Sequence, residues 1–109
     1  MLLSGKYEEA IKQFTHAIEQ KPDDPGLYGL RSNSYSKLDL HEKALSDCEK
    51  MIELNPKDFK GYLLKGNTLF YMNVLEDALT AYDKAINLAT DDNVKQSIED
   101  AIKKISTIY

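Results

Sequence analysis

The chain has no tryptophan, one cysteine, three prolines and five glycines among 109 residues. A single cysteine closes no internal disulfide, so the fold must hold by packing, and a reducing compartment is expected. Unbroken apolar runs are only a few residues long, far below the ~20 that a membrane span needs. The opening Met1-Leu2-Leu3-Ser4-Gly5-Lys6 has neither the apolar stretch nor the cleavage site of a signal peptide. No membrane association and a cytoplasmic location are therefore expected. Basic clusters are equally scarce. Lys103 and Lys104 form the only adjacent basic pair, Glu99 and Asp100 stand one turn away, and the formal net charge is −4. A nucleic-acid binder would carry a basic face, so nucleic acid is excluded as the expected partner.

Chemistry-bearing patterns are missing too. There is no glycine-rich phosphate loop and no serine, histidine and aspartate set with a local signature. His16 and His41 stand alone, with no cysteine or carboxylate at metal-ligand spacing, and read as exposed helix positions. No cofactor, no metal and no catalysis are expected. The remainder is ordinary: 42% hydrophobic and 29% charged residues describe one globular domain.

What is present is a period. Ala10, Ala44 and Ala78 stand 34 residues apart, as do Glu8, Glu42 and Glu76. Ile11, Leu45 and Leu79 keep the step, followed by Phe14, Cys48 and Tyr82, then Ala17, Met51 and Ala85, then Ile18, Ile52 and Ile86. Pro22 and Pro56 close two units, and Asp24, Asp58 and Asp92 mark all three ends. A period of about 20–50 residues means one supersecondary unit stacked on copies of itself.

Each unit reads as two helices. Tyr28, Arg31, Ser32 and Tyr35 fall at helical spacing, with Pro25 in the first turn, where a missing N–H costs nothing. After Leu38-Asp39-Leu40, Ala44, Leu45, Cys48, Met51 and Ile52 resume the three- and four-residue steps. The next unit repeats the plan with Phe59, Tyr62, Leu63, Gly66, Leu69 and Phe70, then Ala78, Leu79, Tyr82, Ala85 and Ile86. The expected division is a partial first repeat over 1–24, full repeats over 25–58 and 59–92, and a capping helix over 93–109. In that last helix Val94, Ile98, Ala101, Ile102, Ile105 and Tyr109 share one face, with Lys95, Glu99, Lys103 and Lys104 opposite. Ala44 and Ala78 mark the close approach within a hairpin, opposed by Ser32 and Gly66. Phe14, Tyr28, Tyr62 and Tyr82 are expected to fill wider gaps between hairpins. The first unit is half a hairpin: a helix over Tyr7–Gln20 carries Ala10, Phe14 and Ala17 on an apolar face, and its partner helix would precede Ser4. Either Met1 is a truncation point or another chain covers that face, so self-association or instability is expected.

These residues resemble the tetratricopeptide repeat, whose pattern runs W-x2-L-G-x2-Y, then A-x3-F, then P, on the same period. Ala10-x3-Phe14 with Pro22 matches the second half. Ala78-x3-Tyr82 follows with Thr90 for proline, and Ala44-x3-Cys48 with Pro56 substitutes the aromatic. Tyr28 and Tyr62 stand for the tryptophan, Gly66 for the glycine and Tyr35 for the tyrosine, while Arg31 and Lys65 depart from the leucine. The resemblance implies an all-α fold of right-handed superhelical hairpin repeats with a C-terminal capping helix. It also implies a non-enzymatic module that binds a peptide or protein in a concave groove lined by the first helices. Carried over, the groove is Gly26, Gly29, Leu30, Asn33 and Lys37, then Lys60, Leu63, Leu64, Asn67 and Tyr71. Leu30, Asn33, Lys37, Lys60, Leu64 and Asn67 are the candidate peptide-binding residues. Asn33 and Asn67 are equivalent amides able to bond a peptide backbone.

Leu27-Tyr28-Gly29-Leu30-Arg31-Ser32, Tyr35 and Lys60-Gly61-Tyr62 are similar to the co-chaperones that organise cytosolic heat-shock chaperones. Those domains grip the C-terminal carboxylate of a Glu-Glu-Val-Asp tail in a basic clamp, and charge-assisted bonds make such a grip strong. Here only Lys60 stands where a clamp lysine belongs; Leu30 replaces an asparagine and Leu64 a basic residue. The expected function is thus a co-chaperone-like adaptor holding an acidic or apolar C-terminal tail, a chaperone's among them. Two alternatives stay open. One is a self-assembling module with an apolar groove of Leu30, Leu63 and Leu64, which takes a helix or a swapped first helix. The other is the targeting domain of an enzyme.

Overall fold

The computed structural model describes residues 2–108 as six helices, with no strand among the described residues. They are α1 (Leu2–Gln20), α2 (Pro25–Lys37), α3 (His41–Leu54), α4 (Phe59–Tyr71), α5 (Leu75–Leu88) and α6 (Asp92–Ile108). Each packs on the next in chain order, and α2 also touches α4. This is the stack of hairpins that the period implies. Met1 and Tyr109, which carry the truncation reading and the end of the α6 apolar face, lie outside the described residues.

Turn chemistry repeats with the frame. Asp24 and Asp58 are N-caps whose Oδ1 accepts from the N–H of Gly26 and Lys60, each at 3.0 Å. A cap of this kind contributes about 1 kcal/mol. The third copy slips by one: Asp91, not Asp92, accepts the Asn93 N–H at 2.7 Å to start α6. Inside the hairpins Asp39 (φ 60°) and Asn73 (φ 64°) take the left-handed conformation at equivalent positions. Short polar side chains tolerate it. The following N–H groups then close the preceding helices, Leu40 to the Tyr35 carbonyl and Val74 to the Leu69 carbonyl, each at 2.9 Å.

The hairpin interiors show how one frame accepts different residues. Within α2–α3, Ser32 Oγ donates to the Ala44 carbonyl at 3.1 Å and lies 3.2 Å from Cys48 Sγ. Within α4–α5 the smaller Gly66 faces the larger Tyr82, and a β-carbon at Gly66 would stand 2.7 Å from the ring. Tyr82 therefore fills the inside of its own hairpin, not the gap between hairpins that was expected for it, because Gly66 leaves it room. Cys48 is fully buried and burial pushes its thiol up, so it stays a neutral packing group at physiological pH.

The main core runs through Leu69, Ala78, Tyr82, Ala85, Ala89, Ile98 and Ile105, which ties α4, α5 and the capping α6 together. A smaller cluster of Ile18, Tyr28 and Met51 joins α1, α2 and α3. That junction also holds an ion pair. Arg31 donates from Nε and Nη2 to the two Asp47 carboxylate oxygens at 2.8 and 2.7 Å, and from Nη1 to Thr15 Oγ1 at 3.2 Å. Its guanidinium carbon lies 5.8 Å from the Tyr28 ring centre and 5.7 Å from that of Tyr35. The bond to Asp47 outweighs the desolvation and holds the Arg31 pKa above its ordinary value.

At the N-terminal end, α1 begins at Leu2, earlier than the Tyr7 start expected. Ala10, Phe14 and Ala17 are only half-buried, whereas their counterparts Ala44, Cys48, Ala78 and Ala85 are at 0% exposure. The difference is that α3 and α5 each lie against a preceding helix of their own hairpin, while α1 packs on α2.

Candidate functional site

The first helices of the two complete hairpins, α2 and α4, lie side by side and leave a cleft of about 330 Å³ between them. Asn33, Lys37, Leu64 and Asn67 from the candidate set line it, together with Tyr71 from the wider carry-over. Their spacing explains the convergence: Asn33 and Lys37, like Leu64, Asn67 and Tyr71, fall three or four residues apart on one helix face. Leu30 and Lys60 are exposed on the same two helices but outside this cleft. The remaining carry-over residues do other work. Gly29 is buried against Met51, where a β-carbon would meet the sulfur at 3.2 Å, and Leu63 packs into the main core. Gly26 sits in the first turn of α2, its N–H bonded to Asp24.

The two asparagines are not alike in use. Tyr82 donates its hydroxyl to Asn67 Oδ1 at 2.6 Å, so the Asn67 amide turns its donor end to the cleft. Burial pushes the Tyr82 hydroxyl up to about 12, which keeps it a donor throughout the physiological range. In the second unit Cys48 replaces that tyrosine, and Asn33 is exposed with its whole amide available. The difference was latent in the sequence, since Cys48 and Tyr82 share one repeat position.

His41 is not a freely exposed helix position: its side chain is 23% exposed and lines the cleft, stacked on Tyr71 at 6.2 Å between ring centres. Its Nδ1 is buried without a hydrogen-bond partner, and Nε2 stands 3.7 Å from Asp39 Oδ1. No periodic signal marked it, because its counterpart Leu75 is apolar. The lining mixes polar and apolar surface, with Ser32, Ser36 and Thr68 beside the residues already named. Of Leu30, Leu63 and Leu64, the leucines of the expected apolar groove, only Leu64 lines this cleft. Among the described residues no group of histidines, cysteines and carboxylates is placed to hold a metal, and no helix is long and apolar enough to cross a membrane.

Comparison with known proteins settles the family. The tetratricopeptide repeat model matches residues 2–24, 25–58 and 59–92 in succession. The chain belongs to the tetratricopeptide repeat family. Among solved structures it is similar to the first such domain of Spaghetti (RPAP3) bound to the HSP90 peptide SRMEEVD. That match has a TM-score of 0.86 and 30% identity, over 95% of this chain and 80% of that one. The TPR2B domain of yeast Sti1, in complex with an Hsp70 peptide, matches with a TM-score of 0.88 and 25% identity, over 96% and 86%. Among curated proteins, Hsp70-Hsp90 organizing protein 3 of Arabidopsis thaliana is 48% identical over 46 residues, 42% of this repeat domain and 8% of the relative. Human tetratricopeptide repeat protein 12 is 44% identical over 45 residues, 41% and 6%. This tetratricopeptide domain thus spans less than a tenth of the length of the curated relatives it matches. The similarity runs to co-chaperone domains, and the module is one for protein interaction.

Proposed function

We propose that this tetratricopeptide domain is a cytoplasmic, non-enzymatic, co-chaperone-like adaptor that holds the acidic C-terminal tail of a heat-shock chaperone in extended form along α2 and α4. The observation that carries the reading is the α2–α4 cleft itself, where Asn33, Lys37 and Asn67 converge around Leu64. The amides offer bonds to a peptide backbone, Lys37 offers a charge to a carboxylate, and Leu64 offers an apolar contact to a side chain between them. Lys60, exposed at the start of α4, extends the cationic side of the path beyond the cleft. The solved relatives bound to HSP90 and Hsp70 peptides support the ligand class. With Leu30 and Leu64 where the family's clamp carries polar and basic groups, the grip here rests on Lys37, Lys60 and the asparagines.

Calorimetric titration with an acetylated Met-Glu-Glu-Val-Asp peptide tests this, beside the same peptide amidated at its C-terminus. The free acid should bind, and raised salt should weaken it. Lys37→Ala and Lys60→Ala should each reduce affinity several-fold, since a charge-assisted bond is worth about 1.5–3 kcal/mol when buried and less at an exposed lysine. Absence of binding, or binding indifferent to both lysines, to salt and to amidation, removes the proposal.

A second reading, self-association through α1, is favoured by the half-buried Phe14, Ala10 and Ala17. Sedimentation over a concentration series should then show a dimer that Phe14→Asp dissociates; a monomer at all concentrations rejects it.

A further inference from the structure

On the side of the molecule opposite the α2–α4 cleft, the second helices α3 and α5 stand apart over α4 and leave an opening of about 560 Å³. Leu45, Tyr62, Lys65, Leu69, Ala81 and Lys84 line it. Every one of these positions has a counterpart one repeat earlier, in the gap between α1 and α3 over α2. There the same place is occupied: Arg31 is bonded twice to Asp47 and once to Thr15, and lies between the rings of Tyr28 and Tyr35. In the later copy Lys65 stands for Arg31, but Ala81 stands for Asp47 and Leu69 for Tyr35. The carboxylate at the Asp47 position and the ring at the Tyr35 position are therefore missing from the second junction, while Glu49, in the place of Thr15, brings a carboxylate from α3.

The cation left behind is poorly satisfied. Lys65 Nζ reaches Glu49 Oε2 at 3.7 Å, against 2.7 Å for Arg31 and Asp47, and Glu49 itself is 56% exposed. Lys84 adds a second ammonium 6.0 Å above the Tyr62 ring. Asp77 at the rim and Glu49 balance the two lysines in number. Neither provides what Asp47 provides, a carboxylate seated at the floor of the gap.

We propose that the α3–α5 cleft is a second binding site, taking an acidic–aromatic segment of a protein partner whose carboxylate pairs with Lys65 and whose ring lies on Tyr62 and Leu69. The occupant supplies in trans the chemistry that Asp47 and Tyr35 supply in cis one repeat earlier. Its carboxylate displaces the loose Glu49 contact, which is free to turn into solvent, and Lys84 closes over the rim. A segment lacking the ring leaves the apolar floor open, and one lacking the carboxylate leaves Lys65 with only its loose Glu49 contact, so both parts are required. The site faces away from Asn33, Lys37 and Asn67, and a partner held there does not compete with a peptide along α2 and α4.

Amide chemical-shift mapping with the blocked dipeptide acetyl-Tyr-Asp-amide tests this on the whole chain, with acetyl-Tyr-Asn-amide as the uncharged control. The acidic probe should give saturable shifts at Leu45, Tyr62, Leu69 and Ala81, and the control should bind about tenfold more weakly, the size of one charge-assisted bond. Ala81→Asp fills the cleft from within and should abolish the shifts. Lys65→Gln, at a partly exposed position where folding is not at risk, should weaken them to the level of the control. The proposal is overturned if the acidic probe gives no shifts at these residues. It is equally overturned if both probes bind alike, or if Lys65→Gln leaves binding unchanged.

Discussion

The two junctions between successive repeats share one backbone frame and differ in what occupies them. The α1–α3 junction is closed by Arg31 and Asp47 between two tyrosine rings, while the α3–α5 junction is left open above Leu69 and Ala81. Both sit in a stack whose helix caps, left-handed turns and buried alanines repeat. Geometry is thus held by the periodic residues, and the aperiodic ones decide whether a gap is filled by the chain or left to a ligand. The same division holds inside the hairpins, where Ser32 with Cys48 and Gly66 with Tyr82 fill the same place in the repeat with different pairs of sizes.

The harshest way to break this comparison is to empty the filled junction. Asp47→Ala leaves the Arg31 guanidinium, 18% exposed, without its carboxylate. The expected loss is about 3 kcal/mol, the cost of stripping one partner from a buried pair, read by urea unfolding. A loss no greater than that of a surface carboxylate would mean that the pair does not hold the junction.

Next in size is the hairpin interior. Gly66→Ser should cost about 1–3 kcal/mol by overpacking against the Tyr82 ring, since a β-carbon there has only 2.7 Å. Combined with Tyr82→Cys it reproduces the Ser32 and Cys48 solution, so the double variant should lose less than the two singles together. Strict additivity in a thermal or urea series would refute the complementarity.

Tyr82→Phe gives a smaller, pH-dependent effect. At neutral pH the lost bond to Asn67 should cost about 1 kcal/mol. The Tyr82 hydroxyl is held up to about 12 in the fold, whereas an unfolded tyrosine ionises near about 10. Between those values the unfolded chain has lost a proton that the native one keeps, so wild-type stability from this group falls as pH rises. The wild-type advantage over Tyr82→Phe should be full below pH about 10 and shrink towards pH about 12; a gap that is flat or widening in alkali contradicts the burial account. Smallest of all, Lys37→Ala and Lys60→Ala should shift stability by less than about 0.5 kcal/mol, because both side chains are exposed. They separate groove function from scaffold.

The scaffold was legible in the sequence because a packed interior leaves a periodic mark. Ala44, Cys48, Ala78 and Ala85 repeat, and all four are fully buried; Ile98 and Ile105 fall on the apolar face read for the last helix. The cleft was legible only in part. Asn33, Lys37, Leu64 and Asn67 came from the family resemblance carried onto the first helices, but His41 lay past a turn where no period carries information. Arg31 and Lys65 read merely as departures from the family pattern. That one closes a junction and the other stands in an open one depends on Asp47 and Ala81, a helix away in space and 16 residues away in sequence. Such pairings across the stack are invisible to spacing along one helix.

The central claim, that the buried periodic residues make the frame and the side chains facing the α2–α4 cleft make the site, is tested most directly by a chemical-shift map with the acidic C-terminal peptide. The account predicts perturbations at Asn33, Lys37, Leu64, Asn67 and Tyr71, with Leu45, Lys65 and Lys84 on the opposite side unmoved. Perturbations confined to that opposite side, or none at saturating peptide, would contradict it.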